Sequence, residues 1–177
     1  TLMGYELIFN NKMILIGYRN SFFYAVIGTF LSVMMTVMSA YALTKKELVG
    51  RKLLTFFFLF TMLFGGGLIP TYMVVRAVGF IDTIWALLVP NCVAVFHIFV
   101  AVTFFRTGVS QEILEAAEID GCGHIQTLFR VAVPLSKPII AVLSLFCAVA
   151  VWNTYFDALI YIRSRSLYPL QLVLRDI

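Results

Sequence analysis

The stretch FRTGVSQEILEAAEIDGCGHIQTLFRVAVPLSKP, Phe105–Pro138, decides how the rest of this chain is read. Ser110 is suited to cap a helix N-terminus, and Glu112 in the first turn suits the positive end of the helix dipole. Ile113, Ala116 and Ala117 recur at helical spacing, with Glu112, Glu115 and Glu118 on the other faces. Gly121, able to take φ > 0, stops that helix. Ile125, Leu128 and Phe129 start a second short amphipathic helix, which Pro134 closes before an apolar run opens at Pro138. The spacing predicts a helix, a glycine turn and a helix over 106–137. Four of the chain's nine acidic residues lie in this connector. Helices that rest on lipid headgroups are usually rich in Lys and Arg instead, so an acidic, Ala-faced helix suits a protein partner.

The connector is flanked by residues that belong in lipid. The chain has 177 residues, 62% hydrophobic and 12% charged, with a mean hydropathy of +0.97. A soluble domain is about 45–50% apolar and about 25% charged. This composition excludes a disordered chain, a nucleic-acid arm and almost any soluble enzyme of this size. Four stretches lack Asp, Glu, Lys and Arg: Ser21–Thr44, Leu53–Val75, Thr83–Phe105 and Pro138–Phe156, the last running on to Ile162 if Asp157 is tolerated. A helix needs ~20 apolar residues to cross the hydrocarbon, and lipid leaves no other way to satisfy a single crossing chain's backbone. The expected fold is therefore an all-α integral membrane domain, single over 1–177, with four spans. Gly65-Gly66-Gly67 and Pro70 fall inside the second span and predict a bend or an unwound turn there. Such small residues serve a hinge or pathway, or close packing against another helix, equally well.

Four spans put Lys45–Lys52 and Arg106–Lys137 on one side of the membrane. The N-terminal segment, the turn Arg76–Asp82 and the tail from Arg163 lie on the other. The first connector carries Lys45, Lys46, Arg51 and Lys52 close to span ends, which makes that side cytoplasmic. The net charge of +4 is accounted for by such loops and calls for no nucleic acid. The chain opens at Thr1 without a basic-then-apolar leader, so no signal peptide is expected. Cys92, Cys122 and Cys147 are odd in number and form no CxxC pair, as expected of small buried hydrophobes.

The connector also resembles the EAA motif of ABC importer permeases. Glu115-Ala116-Ala117, three positions, Gly121, nine positions and Val131-Ala132-Val133-Pro134 are similar to that family's E-A-A, G and I-x-L-P pattern, with Val for Ile and for Leu. Cys122 departs from the Ala common at that place. Arg19-Asn20-Ser21 leading to Ser39-Ala40-Tyr41-Ala42-Leu43 resembles the opening of the permease core. Trp152-Asn153, Tyr168-Pro169-Leu170-Gln171 and GGGLIPTY (Gly65–Tyr72) are similar to the carbohydrate-uptake branch typified by the smaller maltose-type permease.

The resemblance implies a type I permease core, a multi-pass protein of the cytoplasmic (cell) membrane. Such permeases have six spans, so the first and last are expected to be missing from this stretch. It implies a transmembrane subunit of an ATP-driven importer of a sugar or oligosaccharide. Its implied partners are an ABC ATPase subunit dimer, a second permease subunit, an extracytoplasmic solute-binding protein and the lipid bilayer. Glu115, Ala116, Ala117, Asp120, Gly121 and Pro134 would couple to the ATPase. Glu115 and Asp120 would supply charge, Ala116 and Ala117 close packing, and Gly121 the turn. An ABC permease for another solute, such as polyamine or phosphate, shares the same loop. A secondary transporter would need charges deep in several spans or inverted repeats, and neither is found.

The chain has no GxxxxGK[ST], HExxH, GxSxG or calcium-loop pattern, and His97 and His124 have no partners at ligand spacing. No catalytic set, cofactor or metal is expected, and ATP hydrolysis belongs to a separate subunit. The remaining candidates are polar residues in the spans, Asn91, His97, Asn153 and Asp157, which are costly in lipid unless they face a cavity or another helix. His97, near mid-span, suits a helix–helix hydrogen bond better than a lining role. Asn153 and Asp157, one helical turn apart, are expected to share a face. For Asp157, interfacial solvation and a place on a solute path are equally open.

Overall fold

The computed structural model describes residues 12–176, all helix and connecting turns with no strand among them. The N-terminal segment assigned to the far side of the membrane falls largely in residues 1–11, outside the described residues. The helices are α1 (Lys12–Thr44), α2 (Arg51–Leu63), α3 (Leu68–Ala77), α4 (Trp85–Leu88), α5 (Val95–Gly108), α6 (Gln111–Ile119), α7 (His124–Leu135), α8 (Lys137–Trp152), α9 (Phe156–Tyr161) and α10 (Leu170–Arg175). Among the described residues only α1, 33 residues long, is long and apolar enough to cross a membrane unbroken; counting bent pairs as single spans raises the number to three.

The other apolar stretches are interrupted, each for a local reason. The second breaks at the predicted place. Gly67 stands at φ 81° before α3, and a Cβ on Gly65 or Gly67 would touch nothing within 4 Å. Pro70 sits in the first turn of α3, where its missing N–H has no intrahelical partner to lose. The third stretch, expected as one helix over Thr83–Phe105, is instead α4 and α5, the latter 14 residues long. Pro90 cannot donate a backbone hydrogen bond, and the chain turns through Asn91 and Cys92, with the Cys92 amide reaching the Val89 carbonyl at 3.2 Å. The fourth stops at Trp152. There Asn153 Nδ2 donates back to the Val149 carbonyl at 2.8 Å and Thr154 Oγ1 to that of Ala150 at 3.1 Å. Side chains that bond the preceding turn in this way compete with helix continuation.

The chain divides into two compact units. The first comprises residues 12–31, 66–92 and 146–176 of those described. Its tail is held to α1 by side chains. Asn20 Nδ2 donates to the carbonyls of Ser166 (2.7 Å) and Tyr168 (3.1 Å), Tyr24 Oη donates to that of Leu167 (2.9 Å), and Ser21 Oγ accepts the Leu170 amide (2.8 Å). Ile14, Leu170 and Val173 pack beside these bonds. The second unit, 32–65 and 93–145, is built on Val37, Ala40, Tyr41, Ile98, Val102, Phe105 and their neighbours. No residue of α2 is buried; Phe56, Phe57, Phe60 and Leu63 all face outward.

In the first unit, Asp82 closes the turn after α3 with φ 61°, a left-handed conformation that Asp tolerates better than most residues. Its Oδ1 accepts the amides of Arg163 and Ser164, each at 2.8 Å, and its Oδ2 accepts the Ser164 hydroxyl at 2.6 Å. The Ser164 hydroxyl, then the two amides, hold the Asp82 carboxyl below its ordinary pKa.

Two outcomes follow from this packing. A Cβ on Gly17 would lie 3.1 Å from the Leu170 Cα and 3.2 Å from Val173 Cγ2. Gly17→Val should therefore cost about 1–3 kcal/mol through overpacking, read as a lower unfolding midpoint of the purified transporter, whereas Gly65→Val, at a φ open to any residue and with nothing within 4 Å of the added Cβ, should not. Because the Asp82 pKa is depressed on folding, the clamp's contribution is complete above the ordinary carboxylate value of about 3.9 and is lost as pH falls through the folded value. Hydrogen-exchange protection of the Arg163 and Ser164 amides should fall in that acidic window in the native protein and be lost at all pH values in Asp82→Ala.

Candidate functional site

The connector over 106–137 folds as the sequence predicts at its centre. Ser110 occupies the N-cap position of α6 with extended φ and ψ, though its side chain makes no capping hydrogen bond. At the other end Asp120 is the C-cap and Gly121, at φ 84°, takes the left-handed position. The Gly121 amide bonds the Glu118 carbonyl and the Cys122 amide that of Ala117, both at 3.0 Å. This pair of bonds is the Schellman arrangement, which satisfies carbonyls the helix leaves open.

The helix is phased differently from the expectation. Leu114, packed in the second unit's core, and Ala117 are the buried positions, while Ile113, Glu115, Ala116, Ile119 and Asp120 are exposed. Of the two alanines expected to allow close packing, Ala116 is thus exposed and Ala117 buried. Ile119 at 86% and Ile125 at 74% exposure flank the turn.

Pro134 does not close the second helix. It lies in the last turn, one residue before Leu135, and is exposed. Just upstream, Leu128–Ala132 forms a wide π turn in which the Val133 amide reaches back five residues to the Leu128 carbonyl. A proline ring crowds the carbonyl four residues before it, here that of Arg130, and the widened turn relieves that conflict. After Ser136, α8 departs at 85° to α7.

An ion pair that the sequence reading missed joins the two connectors. Lys45 Nζ pairs with Glu118 Oε1, with His124 Nδ1 3.9 Å from the same oxygen and the Tyr41 ring 5.3 Å from the ammonium. Burial alone would lower the Lys45 pKa, but the Glu118 hydrogen bond and Tyr41 outweigh it and raise the value. The Lys45 hydrogen bond and charge lower that of Glu118. Beside the pair, Tyr41, Lys45, Leu48, Val49 and His124 line an open cleft of about 440 Å³. Residues 73 apart in sequence give no local signal of such a contact.

The polar candidates of the apolar stretches fall in different places. Asn91 Nδ2 donates to Asp157 Oδ2 at 2.6 Å, so these two come together in the first unit. Asn153 and Asp157 do not share a helical face, because the helix ends between them and Asn153 is turned back on Val149. His97 lies in the first turn of α5 rather than mid-span, in the second unit, its ring 6.2 Å from that of Phe96. Among the described residues no three His, Cys, Asp or Glu gather as a metal would require, and no disulfide joins the cysteines.

Comparison with known proteins places this architecture. The chain is 42% identical over 177 residues to Protein LplC of Bacillus subtilis (strain 168), all of it aligning with 60% of that protein. It is 40% identical, again over its whole length, to 62% of the polygalacturonan/rhamnogalacturonan transport system permease protein YtcP of the same organism. A crystal structure of a bacterial ABC transporter involved in the import of the acidic polysaccharide alginate superposes with a TM-score of 0.93 at 34% identity, over 97% of this chain and 61% of that one. The chain thus spans about 60% of the length of these proteins. Residues 14–165 match the model of the binding-protein-dependent transport system inner membrane component family, and the chain belongs to that membrane-protein family.

Proposed function

We propose that this chain is the solute-conducting part of a transmembrane subunit of an ATP-driven, binding-protein-dependent importer of oligosaccharides. The relatives named for polygalacturonan, rhamnogalacturonan and alginate support a carbohydrate solute. The single observation that carries the coupling role is the shape of the connector. The short helix α6 has Leu114 anchored in the chain's own core, Glu115 and Ala116 outward, and a left-handed glycine turn at its end. A helix held from behind and offered to solvent on an acidic, small-residue face suits insertion into a cleft of an ABC ATPase subunit. Lys45 ties the neighbouring connector to that helix through Glu118, so a push on α6 is transmitted to the end of α1.

In this reading the bilayer is crossed four times, once by each of the four apolar stretches of the sequence. The chain is a multi-pass protein of the cytoplasmic membrane, with both basic connectors in the cytoplasm. A second permease subunit completes the pathway, an extracytoplasmic solute-binding protein delivers the sugar, and the ATPase dimer hydrolyses ATP outside this chain. Asp120 supplies a further charge at the docking face, and Pro134 lies in the last turn of α7. Opening inward and outward alternates as the ATPase subunits separate and close.

Two measurements test the coupling role. Glu115→Lys should reduce co-purification of the ATPase at least tenfold, since losing one partner of a docked charge pair costs about 2–5 kcal/mol. Asp176→Lys, an exposed acid on the opposite face, should leave it unchanged. Equal retention of the ATPase by both variants refutes docking through α6. Gly121→Val forces a β-branched residue into φ 84°, so the assembled complex should retain its solute-binding protein yet lose sugar uptake. Normal uptake by that variant refutes the role of the turn.

A further inference from the structure

Two of the interruptions in the apolar stretches meet in space. The chain leaves helix at Pro90-Asn91-Cys92, after α4, and again at Asn153-Thr154-Tyr155, between α8 and α9. The Asn91–Asp157 hydrogen bond joins the first break to the helix that follows the second. Both lie in the first unit, where Leu87, Leu88 and Ala158 pack together immediately beside the pair.

Non-helical backbone at membrane depth persists only where protein buries it or where it lines water. This chain does not bury it: Asn91 and Asn153 are exposed, Tyr155 is 43% exposed and Asp157 is half-buried. The amide of Asn91 is committed to one carboxylate oxygen, and among the described residues the second oxygen, Oδ1, accepts no hydrogen bond. A carboxylate left with an open oxygen in an apolar wall calls for water or a hydrogen-bonding solute opposite it.

We propose that these two breaks form a hydrated station on the solute path, where Asp157 and Asn91 offer hydrogen bonds to the hydroxyls of a sugar. This rests on the importer reading above and adds to it a position along the chain. A sugar hydroxyl donates to the open carboxylate oxygen and accepts from water held at the Asn91 amide. The Asn153 side chain is bonded to its own helix, so that residue brings only its exposed backbone to the station, and His97 belongs to the other unit.

The native thiol of Cys92 reports on the site directly. In the assembled transporter, in permeabilised vesicles, a variant keeping only Cys92 (Cys122→Ser, Cys147→Ala) is treated with trimethylammonium-ethyl or sulfonato-ethyl methanethiosulfonate. Rates are taken relative to those of a free thiol in solution. Cys92 should react at least tenfold faster than a lone cysteine placed by Leu159→Cys, on the opposite side of α9 from Asp157. It should also prefer the cationic reagent several-fold, and Asp157→Asn should abolish that preference. A Cys92 no more reactive than Leu159→Cys shows a dry, packed break and overturns the proposal, as does a cation preference that survives Asp157→Asn. The importer reading fails by a separate sign, namely that no solute-binding protein stimulates ATP hydrolysis by the unmodified complex. The thiol rates are read independently of that outcome.

Discussion

A backbone amide or carbonyl in hydrocarbon has no water to fall back on, and this requirement organises the whole chain. Where the sequence is apolar and free of helix breakers, as in α1, the requirement yields one uninterrupted helix of 33 residues. Where it carries proline, a glycine run, or side chains that bond the preceding turn, the helix stops. The released groups then need partners from elsewhere. In the tail those partners are Asn20, Ser21 and Tyr24, polar residues of an otherwise apolar helix, which take up the backbone of residues 166–170. At the turn after α3 the partner is Asp82, which takes three donors from Arg163 and Ser164.

The second unit solves a different problem, that of holding a polar connector against an apolar core without letting it sink in. Leu114, Leu128 and Ala132 anchor α6 and α7 to Ile98, Val102 and Phe105. The Schellman bonds at Gly121 satisfy the end of α6, and Thr127, fully buried, bonds the Gly123 carbonyl at 3.2 Å. The exposed face that remains combines acid with isoleucine, a composition suited to a protein cleft and poorly suited to anionic headgroups.

The parts legible in the sequence are those governed by single residues with strong local preferences. Gly121 and the run Gly65–Gly67 stop helices where expected, because glycine alone takes φ > 0 without steric cost. A search for charge-free runs passes over the breaks at Asn91 and Asn153, because it registers neither Pro90 nor the hydrogen bonds that Asn153 and Thr154 make to the turn before them. The facing of α6 was misjudged because Ile113 and Leu114 are adjacent apolar residues, and either fits a 3.6-residue period; only the core decided for Leu114. Lys45 with Glu118, and Asn91 with Asp157, are pairings between distant segments. Their charges were visible, but the fold alone assigns them to one another.

The wide turn at Leu128–Ala132 has a consequence for register. A π turn is in effect one residue inserted into an α-helix, and each residue turns the helix by about 100°. Everything beyond it, from Val133 through the fully buried Ser136 to the start of α8, takes its angular position from that extra residue. Shortening the segment by one would keep a helix but rotate Ser136 out of its buried place and send α8 off in another direction. The length of this segment, more than the identity of its side chains, is what aims the following helix.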